Sequence, residues 1–119
     1  STLGKIGERY KSAYCAAKHG VIGLTRSVAL EVAEYNITVN AICPGLTRTQ
    51  IVENQLDSLA QTHQIRREEV LDKVFFPHIP QKRILDPSEI AECVLFLVSD
   101  KGFAVTGQAI NVSAGWVMH

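Results

Sequence analysis

Tyr14 and Lys18 stand four residues apart in a stretch, Ser12 to about Tyr35, that reads as one long helix. Positions four apart lie on one helix face a turn above each other, so the phenol and the ammonium reach the same region of space. An ammonium beside a phenol favours the phenolate, and such a phenolate can take a proton from an alcohol or return it. Ser1, thirteen positions before Tyr14, can bring a hydroxyl to the same spot from a preceding loop. The spacing alone is weak. With three tyrosines and six lysines in 119 residues, chance yields it about 15% of the time. The competing reading is an interfacial tyrosine and a solvated lysine on an amphipathic helix.

Further segments supply context. Ser1-Thr2-Leu3-Gly4 precedes the pair, Asn40-Ala41-Ile42-Cys43-Pro44-Gly45-Leu46-Thr47-Arg48-Thr49 comes after it, and Thr106-Gly107-Gln108 stands near the end. In order and spacing, across nearly the whole chain, these segments resemble the short-chain dehydrogenase/reductase family. Within it the resemblance is nearest to members acting on 3-hydroxybutyrate. Tyr10-Lys11-Ser12-Ala13-Tyr14, Ala16-Ala17-Lys18-His19-Gly20, Cys43-Pro44-Gly45, Arg48-Thr49 and Gly115-Trp116 carry that likeness.

The resemblance implies reversible hydride transfer between a secondary alcohol and the nicotinamide of NAD, with NADP not excluded. Tyr14 would be the acid/base, Ser1 would hydrogen-bond the substrate oxygen, and Lys18 would hold the nicotinamide ribose. Pro44, Gly45 and Thr49 match the loop that lies against the nicotinamide. A fourth residue of the family's machinery, an upstream asparagine, lies outside this sequence. For a hydroxybutyrate or acetoacetate substrate, Lys11, Gln55 and Trp116 match substrate-binding positions. Each has a plain alternative: a solvated helix-start lysine, a surface glutamine, a packing aromatic. Leu3 replaces a histidine and Leu46 a tryptophan of the hydroxybutyrate enzymes. Thr47 stands where the family usually has isoleucine or valine, and Ser113-Ala114-Gly115 where it has aspartate-glycine-glycine. A less polar pocket leaves open a longer or less charged alcohol, or a 3-oxoacyl group. A reading from another class is a truncated, non-catalytic interaction module.

The elements that must position these groups predict an α/β fold, the C-terminal part of a doubly wound Rossmann-type parallel sheet. The order is long helix, strand, helical lid, helix, strand. The first strands are expected to be missing, because the eight glycines form no G-x-G-x-x-G phosphate-binding run. Residues 1–119 therefore read as the catalytic and substrate-binding part of a single domain in a longer protein. Alone, this piece would bare a sheet edge and give no useful turnover.

The first ten residues read as a loop. Ala13, Ala17, Val21, Leu24, Val28 and Val32 predict the buried stripe of the long helix. Gly20 and Gly23 cost about 1 kcal/mol each against alanine inside a helix, so a close neighbour is expected. The resemblance implies a symmetry mate; packing within the chain is the alternative. Asn36 ends the helix, residues 37–42 read as a strand, and Pro44-Gly45 stops it. A loop at the carboxyl end of a parallel strand is where open α/β sheets hold ligands. Residues 50–76 are helical in pattern with a polar break at Gln61–Arg67, and about 50–80 matches the family's substrate-covering lid. Asp86-Pro87-Ser88-Glu89 is a capped helix start, running to about Ser99. Gln108–Val112 is the last strand, parallel to the first.

Twelve basic and twelve acidic residues balance to zero net charge, leaving no basic stripe for nucleic acid. No apolar run approaches the roughly 20 residues that span a bilayer, and no leader is recognisable. Cys15, Cys43 and Cys93 are scattered and odd in number, which fits reduced thiols in a cytoplasmic protein. His19, His63, His78 and His119 show no metal-ligand spacing, and no serine lies in a nucleophile elbow. The expected partners are a small hydroxy acid or ketone and, by the resemblance, further copies of the chain in a dimer or tetramer.

Overall fold

The computed structural model describes all 119 residues. A 3-10 turn, Thr2–Gly4, precedes the long helix α1, Ser12–Val32, which a 3-10 turn extends to Tyr35. Strand β1 is Ala41–Pro44, helix α2 Gln50–His63, helix α3 Pro87–Val98 and strand β2 Ala109–Val112. The strands pair in parallel, Ala41 opposite Ala109 and Pro44 opposite Val112. The architecture is α/β, with the connection between the strands passing through α2 and α3.

Local chemistry explains where the elements begin and end. Asn36 closes α1 with a left-handed backbone, φ 57°, tolerable for asparagine. Asp86 accepts from Ser88 N while Glu89 reaches back to Asp86 N, and Pro87 fills the first position, so α3 starts with a full capping box. α3 stops at Val98, one residue short of the expected end, with Ser99 as its cap.

β1 is shorter than the expected 37–42 strand. Residues 38–40 do lie beside the segment before β2, but side chains make part of the ladder. Thr106 Oγ1 accepts from Val39 N at 3.1 Å, Asn40 Nδ2 donates to Val105 O at 2.7 Å, and Asn40 Oδ1 accepts from Gln108 N at 3.1 Å. The first residues do not form a plain loop either, since Ser1 caps the Thr2–Gly4 turn.

The buried face of α1 is not the expected one. Cys15, Ile22, Thr25 and Ala29 are buried, with the Thr25 hydroxyl satisfied by Val21 O at 2.8 Å. Val21 and Leu24 of the predicted stripe are 49% and 64% exposed. A methyl group on Gly20 or Gly23 would meet nothing within 4 Å. Both sides of this helix are apolar, and the residues present cover only one.

The segment expected to form the lid has two parts. α2 runs to His63, further than the expected break, and Gln64 turns the chain with φ 55°. The second part is 3-10 at Arg67–Glu69, π at Leu71–Phe75 and 3-10 at Phe76–His78, where the pattern predicts one regular helix. Pro77, lacking an N–H, suits the start of such a short turn. Arg67 ties the parts together, its guanidinium 2.9 Å from both Glu53 and Asp57 on α2.

Two small apolar clusters hold the chain. Leu56, Ala60 and Val70 form one between α2 and the segment after it; Leu46, Ile79, Leu85 and Ala114 form another beside the β1 loop. Val52, Leu71 and Phe75 pack against both. The radius of gyration is 16.3 Å, against about 13.5 Å for a compact chain of this length. The layers are thin, and apolar faces of α1 and α3 stand open.

Candidate active site

Ser1 accepts a hydrogen bond from Leu3 N at 3.1 Å. This uses one oxygen lone pair and leaves the hydroxyl proton to donate elsewhere. The turn it caps rests directly on α1. A Cβ on Gly4 would lie 2.9 Å from Lys18 O and 2.9 Å from Ile22 Cδ1. Only glycine lets the turn sit there, so the Ser1 segment is docked against the helical turn that carries Lys18.

Tyr14 is 47% exposed. The Lys18 ammonium lies 5.2 Å from the centre of its ring, a cation–π geometry, and pairs with no carboxylate. The phenol and the ammonium therefore share one face of α1, as their spacing predicts.

The loop after β1 is held from both sides. Gly45 N donates to Val112 O at 2.9 Å, while Leu85 N donates to Leu46 O and Arg48 N to Leu85 O. A Cβ on Gly45 would stand 2.8 Å from Ser113 Cα, so glycine is required for the loop to lie against the end of β2. Thr49 sits at the N-cap of α2, yet its side chain makes no capping hydrogen bond. Its hydroxyl is free to meet a ligand.

These groups line one cleft of about 940 Å³. Ser1, Tyr14 and Lys18 line it, and so do Pro44, Gly45 and Thr49. Lys11, Gln55 and Trp116 complete the set of nine candidate residues, all on the same cleft. Much of the remaining wall is apolar. Leu3 and Leu46, which replace a histidine and a tryptophan of the hydroxybutyrate enzymes, contribute to it together with Ile90 and Val94 of α3. The α3 residues were legible only as a helical stripe, whose pattern cannot separate a core face from a cleft wall.

One lining residue carries no signal in the sequence. Glu8 lies on the cleft, its carboxylate 3.2 Å from Lys11 Nζ. Nothing in the loop's composition marks it, because a lone acid among polar neighbours reads as solvated. No group of three His, Cys, Asp or Glu side chains converges to hold a metal. No helix is long and apolar enough to cross a membrane.

Comparison with known proteins identifies the family. The family model described as enoyl-(acyl carrier protein) reductase matches residues 1–117. The uncharacterized oxidoreductase YxjF of Bacillus subtilis is 51% identical over 98% of this chain and 45% of its own. The D-beta-hydroxybutyrate dehydrogenase of Rhizobium meliloti is 41% identical over the same shares. A crystal structure of actinorhodin polyketide ketoreductase with NADPH superposes with a TM-score of 0.90 at 39% identity, over 98% of this chain and 44% of its own. The chain thus spans less than half the length of the relatives it matches. With the model match covering nearly all of it, the chain belongs to the short-chain dehydrogenase/reductase family.

Proposed function

We propose that the protein transfers a hydride between a nicotinamide cofactor, NAD or NADP, and a secondary alcohol or ketone. The observation that carries this is the convergence on one cleft of a serine with a free hydroxyl proton, a half-exposed phenol and an unpaired ammonium. The residues suit the nicotinamide end of such a cofactor. Thr49 offers an uncapped hydroxyl, the Pro44-Gly45 backbone borders the cleft, and Lys18 has no competing anion. The bound cofactor supplies the hydride acceptor for alcohol oxidation and the donor for ketone reduction.

Tyr14 takes the alcohol proton as the carbinol hydrogen departs with its electron pair, and returns it in the reverse direction. Ser1 donates its free proton to the substrate oxygen, steadying charge as it develops there. Lys18 would hold the ribose hydroxyls of such a cofactor, and its ammonium lies over the Tyr14 ring. The segment at about 50–80 acts as the lid, which its own apolar cluster supports. The protein works as a homo-oligomer, a dimer or tetramer, and the open small-residue face of α1 around Gly20 and Gly23 suits a second copy.

3-Hydroxybutyrate and acetoacetate are the first substrate pair to try, since Lys11, Gln55 and Trp116 line the cleft where a carboxylate and a short chain would lie. The apolar wall of Leu3, Leu46, Ile90 and Val94 favours a second reading, a longer ketone or 3-oxoacyl substrate. In the full-length protein, Tyr14→Phe is expected to lower kcat by about 10²- to 10⁴-fold while cofactor affinity stays within a few-fold. Turnover by the phenylalanine variant at the wild-type rate would remove Tyr14 from the chemistry.

A further inference from the structure

We propose that Glu8 is a specificity-determining residue that lowers the affinity of the cleft for carboxylate substrates. This rests on the cleft being the substrate site. Lys11 and Lys18 are the two cations lining it, and Glu8 is the one acid. Lys18 faces the Tyr14 ring, so Lys11 is the cation left for a substrate carboxylate. It is already engaged, with its Nζ 3.2 Å from Glu8 Oε2.

The pairing is built into the backbone. Lys11 N donates to Glu8 O at 3.3 Å, closing a turn that keeps the two residues together. Their side chains are 46% and 42% exposed, so water screens the pair and its strength is that of a surface ion pair, small but real. An entering carboxylate must displace Glu8 from Lys11 or sit beside a like charge. A neutral group meets neither obstacle, and a hydroxyl or amide finds a donor in Lys11 and an acceptor in Glu8. At this end of the cleft Glu8 therefore narrows the preference that Lys11 alone would give a carboxylate over an uncharged group.

Butyrate and its neutral isostere butyramide separate charge from shape. Their dissociation constants are measured by ligand-observed NMR on the full-length protein at low ionic strength, a readout that does not depend on turnover. Glu8→Gln is expected to lower the ratio of butyrate Kd to butyramide Kd by about two- to five-fold, as the strength of an exposed ion pair converts. High salt is expected to shrink the difference. With Lys11 already changed to methionine, Glu8 is an uncompensated like charge, so Glu8→Gln is expected to lower the ratio there as well. An unchanged or raised ratio in either background would overturn the proposal. Absence of NAD(P)-dependent alcohol oxidation would instead count against the enzymatic reading and leave these binding ratios measurable.

Discussion

Gly4→Ala tests the docking that brings Ser1 to α1. The added methyl would lie 2.9 Å from Ile22 Cδ1 and 2.9 Å from Lys18 O, where ordinary contact begins near 3.4 Å. The isoleucine terminus can swing aside. The Lys18 carbonyl cannot, because it belongs to the backbone of the middle of α1. Restoring contact from 2.9 to 3.4 Å requires the turn to lift by about 0.5 Å. Ser1 moves with it, since its hydroxyl caps that turn through Leu3 N. A misplacement of about 1 Å can cost about 10²-fold in rate, so half of that predicts about a tenfold loss of kcat. Overpacking also costs about 1–3 kcal/mol of stability. Steady-state kinetics on a secondary alcohol, cofactor titration by fluorescence and a thermal melt read the three effects together. Gly7→Ala is the control, because a Cβ there meets nothing within 4 Å. If Gly4→Ala kept the full kcat and the wild-type melting temperature, the seating of the Ser1 turn on Lys18 would be wrong.

Contacts elsewhere in the chain set three other outcomes. Gly45→Ala places a methyl 2.8 Å from Ser113 Cα and 3.1 Å from Ser113 O, backbone on backbone, so a loss of about 1–3 kcal/mol and weaker cofactor binding are expected. An unchanged melt would show that the loop relaxes freely. Glu89 is held down to about 2 from 4.5, first by Arg83 and then by Asp86 N. Its contribution is full above pH 4.5 and fades as pH falls toward 2, so Glu89→Gln should lower the neutral Tm and flatten that acid decline. Parallel wild-type and variant profiles would exclude it. Lys11→Ala is expected to raise the KM for a hydroxy acid with little change in kcat, and an unmoved KM would take the carboxylate reading away.

The placement of the candidate site was legible where it depends on short spacing. Tyr14 and Lys18 share a helix face because three intervening residues complete a turn, and Asp86 with Glu89 closes a cap because both partners lie within one. The fold class came from the same order of helix, strand and loop signals. Legibility ended where a choice depended on elements further away. α1 carries apolar residues all round, so periodicity could not say that Ile22 and Ala29 rather than Val21 and Leu24 would be covered. Asn40 replaces backbone partners with its side-chain amide, which a strand pattern cannot express. Glu8 and Lys11 are only three apart, but they lie in a stretch that reads as a loop, where spacing does not say which side chains meet.

The small apolar cluster of Leu56, Ala60 and Val70 has an evolutionary corollary. Because the segment after Thr49 carries its own packing, its cleft-lining residues can be exchanged without disturbing the strand pair that supports Gly45. Val52, Leu71 and Phe75, shared with the neighbouring cluster, are the joints that such exchanges must respect. Under the proposed function, substrate preference can thus be altered by rewriting one segment while Ser1, Tyr14 and Lys18 keep their places on the cleft.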